Sequence, residues 1–328
     1  MAPPFKKIQD LWLPDGLIII RAGDQICRVP RGSLASNSSV LSESMPQPSV
    51  AEKVDGLPVV TFPDPPEEVL HWLKAMLVPG YFEVFPSKIT SVKLLAVLRL
   101  SHKYDVKHLR QRALHHLSTA LPTDLASELA LLHGIAKSSV TGPCHIDFYC
   151  SVNALAQEVG ALWLLPSVLY GLHTMTWPDK EKLDNLVSSQ LLTATDVLRL
   201  WAVARAVIAE FSISKINPHH SDGCPTNGCE DGPTWVLHNI YSTLLAKPLG
   251  LLNPPHSDGL VNVAHYVQDM MDGDTCIACR EAVLQNHSKA DQDFWDALPG
   301  SNVLGIPDWT ELLAAKERDI GLLSDDNV

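Results

Sequence analysis

Residues 97–118 read VLRLSHKYDVKHLRQRALHHLS. The stretch holds four histidines, two lysines and three arginines in a chain whose net charge is −12. It could be an acid–base cluster, a nucleic-acid-binding helix, or the wet side of packed helices, and the apolar spacing chooses among these. Val97 and Leu98 continue an apolar run through Val92, Leu94 and Leu95, which predicts a central, mostly buried helix. Lys103-Tyr104-Asp105 forms a corner, with Asp105 as the expected N-cap of the next helix. Val106, Leu109, Ala113 and Leu117 then share one face at helical spacing, and Lys107, His108, Arg110, Gln111 and Arg112 fall mostly elsewhere. The stretch therefore predicts two packed helices that meet at a corner.

Upstream, the pattern is mixed. Asp15-Gly16 is a turn signal before the run Leu17-Ile18-Ile19-Ile20, and Ala22-Gly23-Asp24 is a second turn before Gln25-Ile26-Cys27-Arg28-Val29. A β-hairpin fits both runs. Ser33 is the expected cap of a helix after Pro30-Arg31-Gly32, and 45–56 reads as a loop. LPVVTF (57–62) returns to strand, with β-branched residues ahead of a proline cluster. PPEEVLHWLKAML opens with prolines and with Glu67 and Glu68 in the first turn, where a helix N-terminus favours negative charge. Its Val69, Leu70, Leu73 and Leu77 line one side, with Trp72 beside them.

Past Pro122 the periodicity is helical, over roughly 123–136, 146–160, 162–175, 180–190, 193–211, 234–246, 258–272, 276–286 and 307–318. No strand-like alternation of similar quality appears there, and 219–233 is the clearest break. At 328 residues, two domains are expected: 1–120 and 121–328. The first carries 14 Lys+Arg against 11 Asp+Glu, the second 11 against 26. An acidic second half repels polyanions, so a nucleic-acid surface would need a local basic patch. The start, MAPPFKKIQDLW, turns polar before a long apolar stretch develops, and ALWLLPSVLYGL (161–172) is too short to span a bilayer. Seven cysteines without a secretion signal indicate a reducing compartment. The expectation is a cytoplasmic or nuclear protein with no membrane contact.

The order of hairpin, helix, strand, helix and helix pair in the first 120 residues resembles a BTB/POZ domain, an α+β fold. The wording is most similar to the BTB proteins of mushroom-forming fungi. The matching stretches are DLWLPDGLIIIRAGDQICRVPRGSLASNSSVL (10–41), VDGLPVVTFPDPPEEVLHWLKAML (54–77) and VLRLSHKYDVKHLRQRALHHLS (97–118), of which the last is the most specific. The resemblance implies a short sheet with helices, followed by an all-α C-terminal domain. It implies a non-catalytic protein–protein interaction role, as a scaffold or linked to transcription. A cullin-type ubiquitin-ligase adaptor is the alternative within the family, although no clear hydrophobic-x-Glu signature for a cullin stands in the sequence. In some BTB families a surface near the first helix forms a homodimer. Here Pro30-Arg31 replaces the His-Arg pair common at that helix start, and Asn37-Ser38-Ser39 is more polar than usual.

The histidines His102, His108, His115 and His116 lack a carboxylate or cysteine at i+4 to complete a metal or acid–base site, so exposed polar positions are expected. Lys103, Lys107, Arg110 and Arg112 offer charge for nucleic acid without an aromatic stacking platform. A sharper signal comes from Cys224-x4-Cys229 and Cys276-x2-Cys279, two close thiol pairs. Four thiolates satisfy tetrahedral zinc, which would act as a structural staple. Buried inert thiols, or a redox pair at Cys276 and Cys279, remain open beside that. There is no G-x-S-x-G, G-x-x-x-x-G-K, G-x-G-x-x-G or H-E-x-x-H, so no catalytic residue is assigned. An unrecognised enzyme using the cysteines is the rival from another class. Trp163, Trp201, Trp235, Trp295 and Trp309 read as packing residues.

Overall fold

The computed structural model describes residues 5–44, 52–132, 134–142, 146–174, 180–210, 276–300 and 305–321. The helices expected at 234–246 and 258–272, the 219–233 break, Trp235, Cys224 and Cys229 lie outside the described residues. The chain divides into two compact units. One takes Met1–Ala120 with Ser138–Gly142 and Glu317–Val328; the other takes Leu121–Lys137 and Pro143–Lys316.

The first unit is mixed α/β. Strands β1 (Lys6–Trp12), β2 (Ile18–Ala22), β3 (Gln25–Val29), β4 (Lys53–Val54) and β5 (Leu57–Phe62) form one sheet in the order β1-β3-β2-β5-β4. The expected hairpin is β2–β3, antiparallel, with Ile20 opposite Cys27. Its turn is held by Gly23 at φ 58, a left-handed conformation that glycine adopts without a Cβ penalty. β5 lies parallel to β2, Ile19 opposite Val59. Strand β1 was not expected from the sequence, because KKIQDLW does not alternate cleanly. It pairs parallel with β3 at the sheet edge, and its register shifts between Lys7 and Trp12.

The triplet Ile18-Ile19-Ile20 is buried on both faces because β2 is central and both sides are covered. Ile19 packs with Ile26 and Val59, flanked by Trp12, Val54 and Leu57. The opposite face meets helices, where Gln25 Nε2 donates to Glu67 Oε1 at 3.1 Å.

Helices α1 (Arg31–Asn37) and α2 (Ser39–Ser44) follow the hairpin, then α3 (Pro66–Leu77), α4 (Ser91–Lys103) and α5 (Lys107–Ser118). The residue before α1 is Pro30, so Ser33 is inside that helix and not its cap. Proline at the start of α3 costs nothing, since the first N–H groups of a helix have no partner within it. Phe62, Trp72 and Tyr104 form an aromatic knot with centroid separations of 5.0–5.9 Å. Two-residue strands β6 (Ile89–Thr90) and β7 (Val140–Thr141) pair in parallel. β7 is too short to leave a periodic signal, and so was not expected past Pro122.

The described residues of the second unit are helical: α6 (Leu125–Leu132), α7 (Ile146–Val159), α8 (Leu165–Thr174), α9 (Lys180–Ser188), α10 (Ala194–Glu210), α11 (Ile277–Ala297) and the first part of α12 (Trp309–Ile320). The helix expected at 276–286 is nearly twice as long, since its apolar stripe continues through Ala290, Phe294 and Trp295. α10 begins with a capping box: the Asp196 amide donates to Thr193 Oγ1 at 3.2 Å, and the Thr193 amide donates to Asp196 Oδ2 at 2.9 Å. Asp124 and Asp308 accept backbone N–H bonds at the starts of α6 and α12. No helix among the described residues is long and apolar enough to cross a membrane.

Candidate functional site

The opening stretch is α4, a corner and α5. Val106, Leu109, Ala113 and Leu117 are buried, and so is Leu114. Asp105 does not cap α5: Val106 holds the cap position, without a side-chain cap bond. Asp105 instead takes the left-handed corner at φ 51 and accepts from Ser39 Oγ at 2.7 Å. Beside it the buried Ser38 hydroxyl donates to the Tyr104 carbonyl and accepts the Leu41 amide. The polar Asn37-Ser38-Ser39 segment is thus a fastening between the α1–α2 break and the α4–α5 corner.

Three of the four histidines, His102, His108 and His115, are exposed, as expected. His116 is not, with an exposure of 0 %. Its Nε2 donates to the Glu83 carbonyl at 2.9 Å and its Nδ1 accepts from Ser139 Oγ at 2.9 Å. Ser139 also contacts Thr119, whose hydroxyl donates back to the His116 carbonyl. Burial pushes the His116 pKa down; the Glu83 bond pulls the other way, and the charges of His115 and Arg112 add to the lowering. A neutral ring that donates from Nε2 and accepts at Nδ1 satisfies both bonds. Helical spacing sets His116 beside Leu109 and Ala113, but its hydrogen-bond partners, 23 and 33 residues distant, cannot be read from one helix.

Four of the five Lys and Arg side chains of the stretch have acceptors within the unit, Lys107 being the exception. Lys103 and the Tyr104 hydroxyl share the Asp64 carboxylate. Arg99 bonds Glu68 at 2.6 Å, Arg110 bonds Asp319 at 2.8 Å, and Arg112 donates to the Phe82 carbonyl. Gln111 reaches the carbonyls of Ile320 and Gly321. Charges matched in this way make a poor electrostatic footprint for phosphates. Lys107 and His108 stand exposed on α5.

Two of the four candidate zinc ligands are described. Cys276 is the residue before α11, in an extended conformation at φ −67, ψ 155, and Cys279 lies in the first turn. Their sulfurs are 3.1 Å apart. Cys279 is buried and Cys276 partly exposed. The Arg280 amide donates to the Cys276 carbonyl at 3.1 Å, which closes the turn that sets the pair. Among the described residues no three His, Cys, Asp or Glu side chains converge as metal ligands. Cys27, on β3, and Cys150, on α7, are buried, and burial pushes the Cys27 thiol up to about 12. A thiol held protonated in this way is a packing residue and a poor nucleophile.

One titratable group escaped the sequence reading. Glu128, on α6, is 2 % exposed and accepts from Ser167 Oγ at 2.7 Å. Burial pushes its carboxyl up to about 7, the Ser167 bond opposes that, and Asp124 adds to it. The Tyr170 hydroxyl, one turn along α8 from Ser167, is buried with no hydrogen-bond partner among the described residues. Its ring packs on Phe294 and Trp295. In sequence Glu128 looks like one more acidic residue of an amphipathic helix; its burial depends on α8. Trp295 and Trp309 stack at 5.7 Å, and Trp309 Nε1 donates to the Trp295 carbonyl. With Trp163 fully buried as well, these three indoles are spent on packing.

Comparison with protein-family models, with curated proteins and with solved structures returns no match.

Proposed function

We propose that the chain is a non-catalytic protein–protein interaction protein whose first unit is BTB/POZ-like, acting as a scaffold or in a transcription-linked complex. One observation carries the reading. The hairpin β2–β3 is followed by a helical pair, by β5 laid parallel to β2, and by α3, α4 and α5, all within the residues that resemble the family. Order and pairing of this kind are constrained by chain connectivity and are a stronger guide than composition. Function follows from the fold only by analogy, so the partner has to be found by experiment. The exposed side of α5, with Lys107 and His108, is the proposed contact surface.

The test is quantitative affinity purification of the full chain from its source cell, wild type against a Lys107→Glu/His108→Ala variant. Partners recovered with the wild type and lost with the variant support the reading. Cullin subunits among them favour the ubiquitin-ligase adaptor over the scaffold. A chain that enriches nothing over the variant overturns the proposal and returns the enzyme alternative. Light scattering after size exclusion checks the homodimer, and a strict monomer at micromolar concentration rules it out.

A further inference from the structure

We propose that Cys276 and Cys279 form a thiol–disulfide exchange site at the start of α11, oxidised by low-molecular-weight disulfides. Cys276 is the attacking thiol and Cys279 the resolving one. The two sulfurs converge to 3.1 Å, from the residue before the helix and from its first turn. A disulfide bond is ~2.05 Å long, so rotation about the Cα–Cβ bonds closes the remaining ~1 Å without moving the backbone. The Arg280 amide, which donates to the Cys276 carbonyl at 3.1 Å, holds that backbone in the turn that pairs them.

The two thiols differ in access, which sets their roles. Cys276 is partly exposed, and the next two residues, Ile277 and Ala278, are exposed, Ile277 at 73 %. Cys279 is 2 % exposed and packs against Cys276. A disulfide arriving from solution therefore meets Cys276 first. The first amides of a helix have no intrahelical acceptors and the dipole there is positive, which favours sulfur carrying negative charge. The Cys276 thiolate attacks one sulfur of the incoming disulfide, whose S–S bond breaks and whose far half leaves as a thiolate. The Cys279 thiolate then attacks the Cys276 sulfur, and the mixed disulfide breaks to release the other half. The pair loses two electrons and two protons, which convert the incoming disulfide into two thiols. Cys27, on β3, and Cys150, on α7, are buried and so shielded from that attack.

The test is to reduce and desalt the full chain, incubate it with excess oxidised glutathione, alkylate it, and read intact mass and peptide map. The wild type should carry a Cys276–Cys279 disulfide that dithiothreitol reverses, with Cys27 and Cys150 still reduced. Cys279→Ser should accumulate a glutathione adduct on Cys276, since the resolving thiol is gone. Cys276→Ser should give no adduct on the buried Cys279. The wild-type peptide map decides the matter even if the serine variants fail to fold. Oxidation is read on the chain alone, so the outcome does not depend on the proposed interaction role. A wild type that stays reduced in excess oxidised glutathione, with or without a metal ion holding the pair, would overturn the proposal. So would a disulfide joining either thiol to another cysteine, equal oxidation of Cys27 and Cys150, or an adduct on Cys279 in Cys276→Ser.

Discussion

The Ser39 hydroxyl donates to Asp105 Oδ2 at 2.7 Å across 66 residues of sequence, and the neighbouring Ser38 hydroxyl donates to the Tyr104 carbonyl. The two bonds differ in environment. Ser38 is buried at 1 % exposure and also accepts the Leu41 amide, whereas the Ser39–Asp105 bond is exposed. Ser38→Ala strands buried groups at both ends and should cost about 1–3 kcal/mol, while Ser39→Ala should cost less than about 1 kcal/mol. Urea unfolding of the full chain measures this. Equal shifts in midpoint would mean that the buried bond is not what fastens the corner.

His116 gives a pH signature. Its folded-state pKa lies below the unfolded value of about 6.5, so the unfolded chain takes the proton first as pH falls. Its contribution to stability is whole above about pH 6.5 and declines as pH drops from there towards the folded-state value. His71 is lowered as well, by burial first and then by the charge of Lys93, and the exposed His108 is lowered by partial desolvation beside Leu109 and Arg112 and by the Arg112 charge, so the wild-type slope alone does not isolate His116. His116→Gln cannot titrate, and its unfolding free energy should fall less steeply below about pH 6.5. Identical slopes in the two proteins would exclude a neutral, bonded imidazole at this position.

The pattern of legible and illegible features is physical. LPVVTF and PPEEVLHWLKAML were legible because local propensity and tertiary placement agree: the first is β5, and the second is α3 from Pro66 to Leu77. Strand β1 was not, since an edge strand buries little and Lys6, Lys7 and Asp10 carry no apolar period. Asp105 has the sequence appearance of an N-cap, yet a non-local partner, Ser39, draws its carboxylate away from α5. His116 and Glu128 look like surface residues by residue type, although helical spacing sets them beside Leu109 and Ala113 and beside Leu125. Each is buried because another element of its own unit supplies the bond it needs, Ser139 and Glu83 for one and Ser167 for the other. Periodicity sees one element at a time. The cysteine pairs were legible from spacing; the sulfurs of Cys276 and Cys279 do converge, and Cys224 and Cys229 lie outside the described residues.

Gly171 reverses the usual sign of a helix substitution. Within a helix, glycine to alanine ordinarily stabilises by about 0.5–1 kcal/mol. In α8, however, a Cβ at Gly171 would collide with the Tyr149 ring of α7. Gly171→Ala should therefore destabilise, by about 1–3 kcal/mol as the ring or the helix shifts. Thermal unfolding of the full chain reads the direction, and a raised midpoint would show that α7 and α8 are not in this close contact.

Glu128 should make the protein less stable as pH rises through the neutral range. Its carboxyl titrates at about 7 in the folded chain against an ordinary value of 4.5, so the folded state holds the proton more tightly. The contribution is whole below about pH 4.5 and is lost as pH climbs to about 7, a difference of about 3 kcal/mol. Among the described residues, the groups facing it are Ser167 and Tyr170 from α8 and Asp124 at the start of its own helix, with Asp291 of α11 acting on Tyr170. None is a cation that would rescue the ionised form. Glu128→Gln keeps an acceptor for Ser167 and removes the charge, so it should match wild type near pH 5 and exceed it near pH 8. Glu128→Ala leaves the Ser167 hydroxyl stranded beside a hole and should be less stable than Glu128→Gln at both values. Unfolding free energies of the three proteins at the two pH values are the measurement. A wild type as stable as Glu128→Gln at pH 8 would mean the carboxylate is solvated, and the burial of α6 against α8 would have to be redrawn.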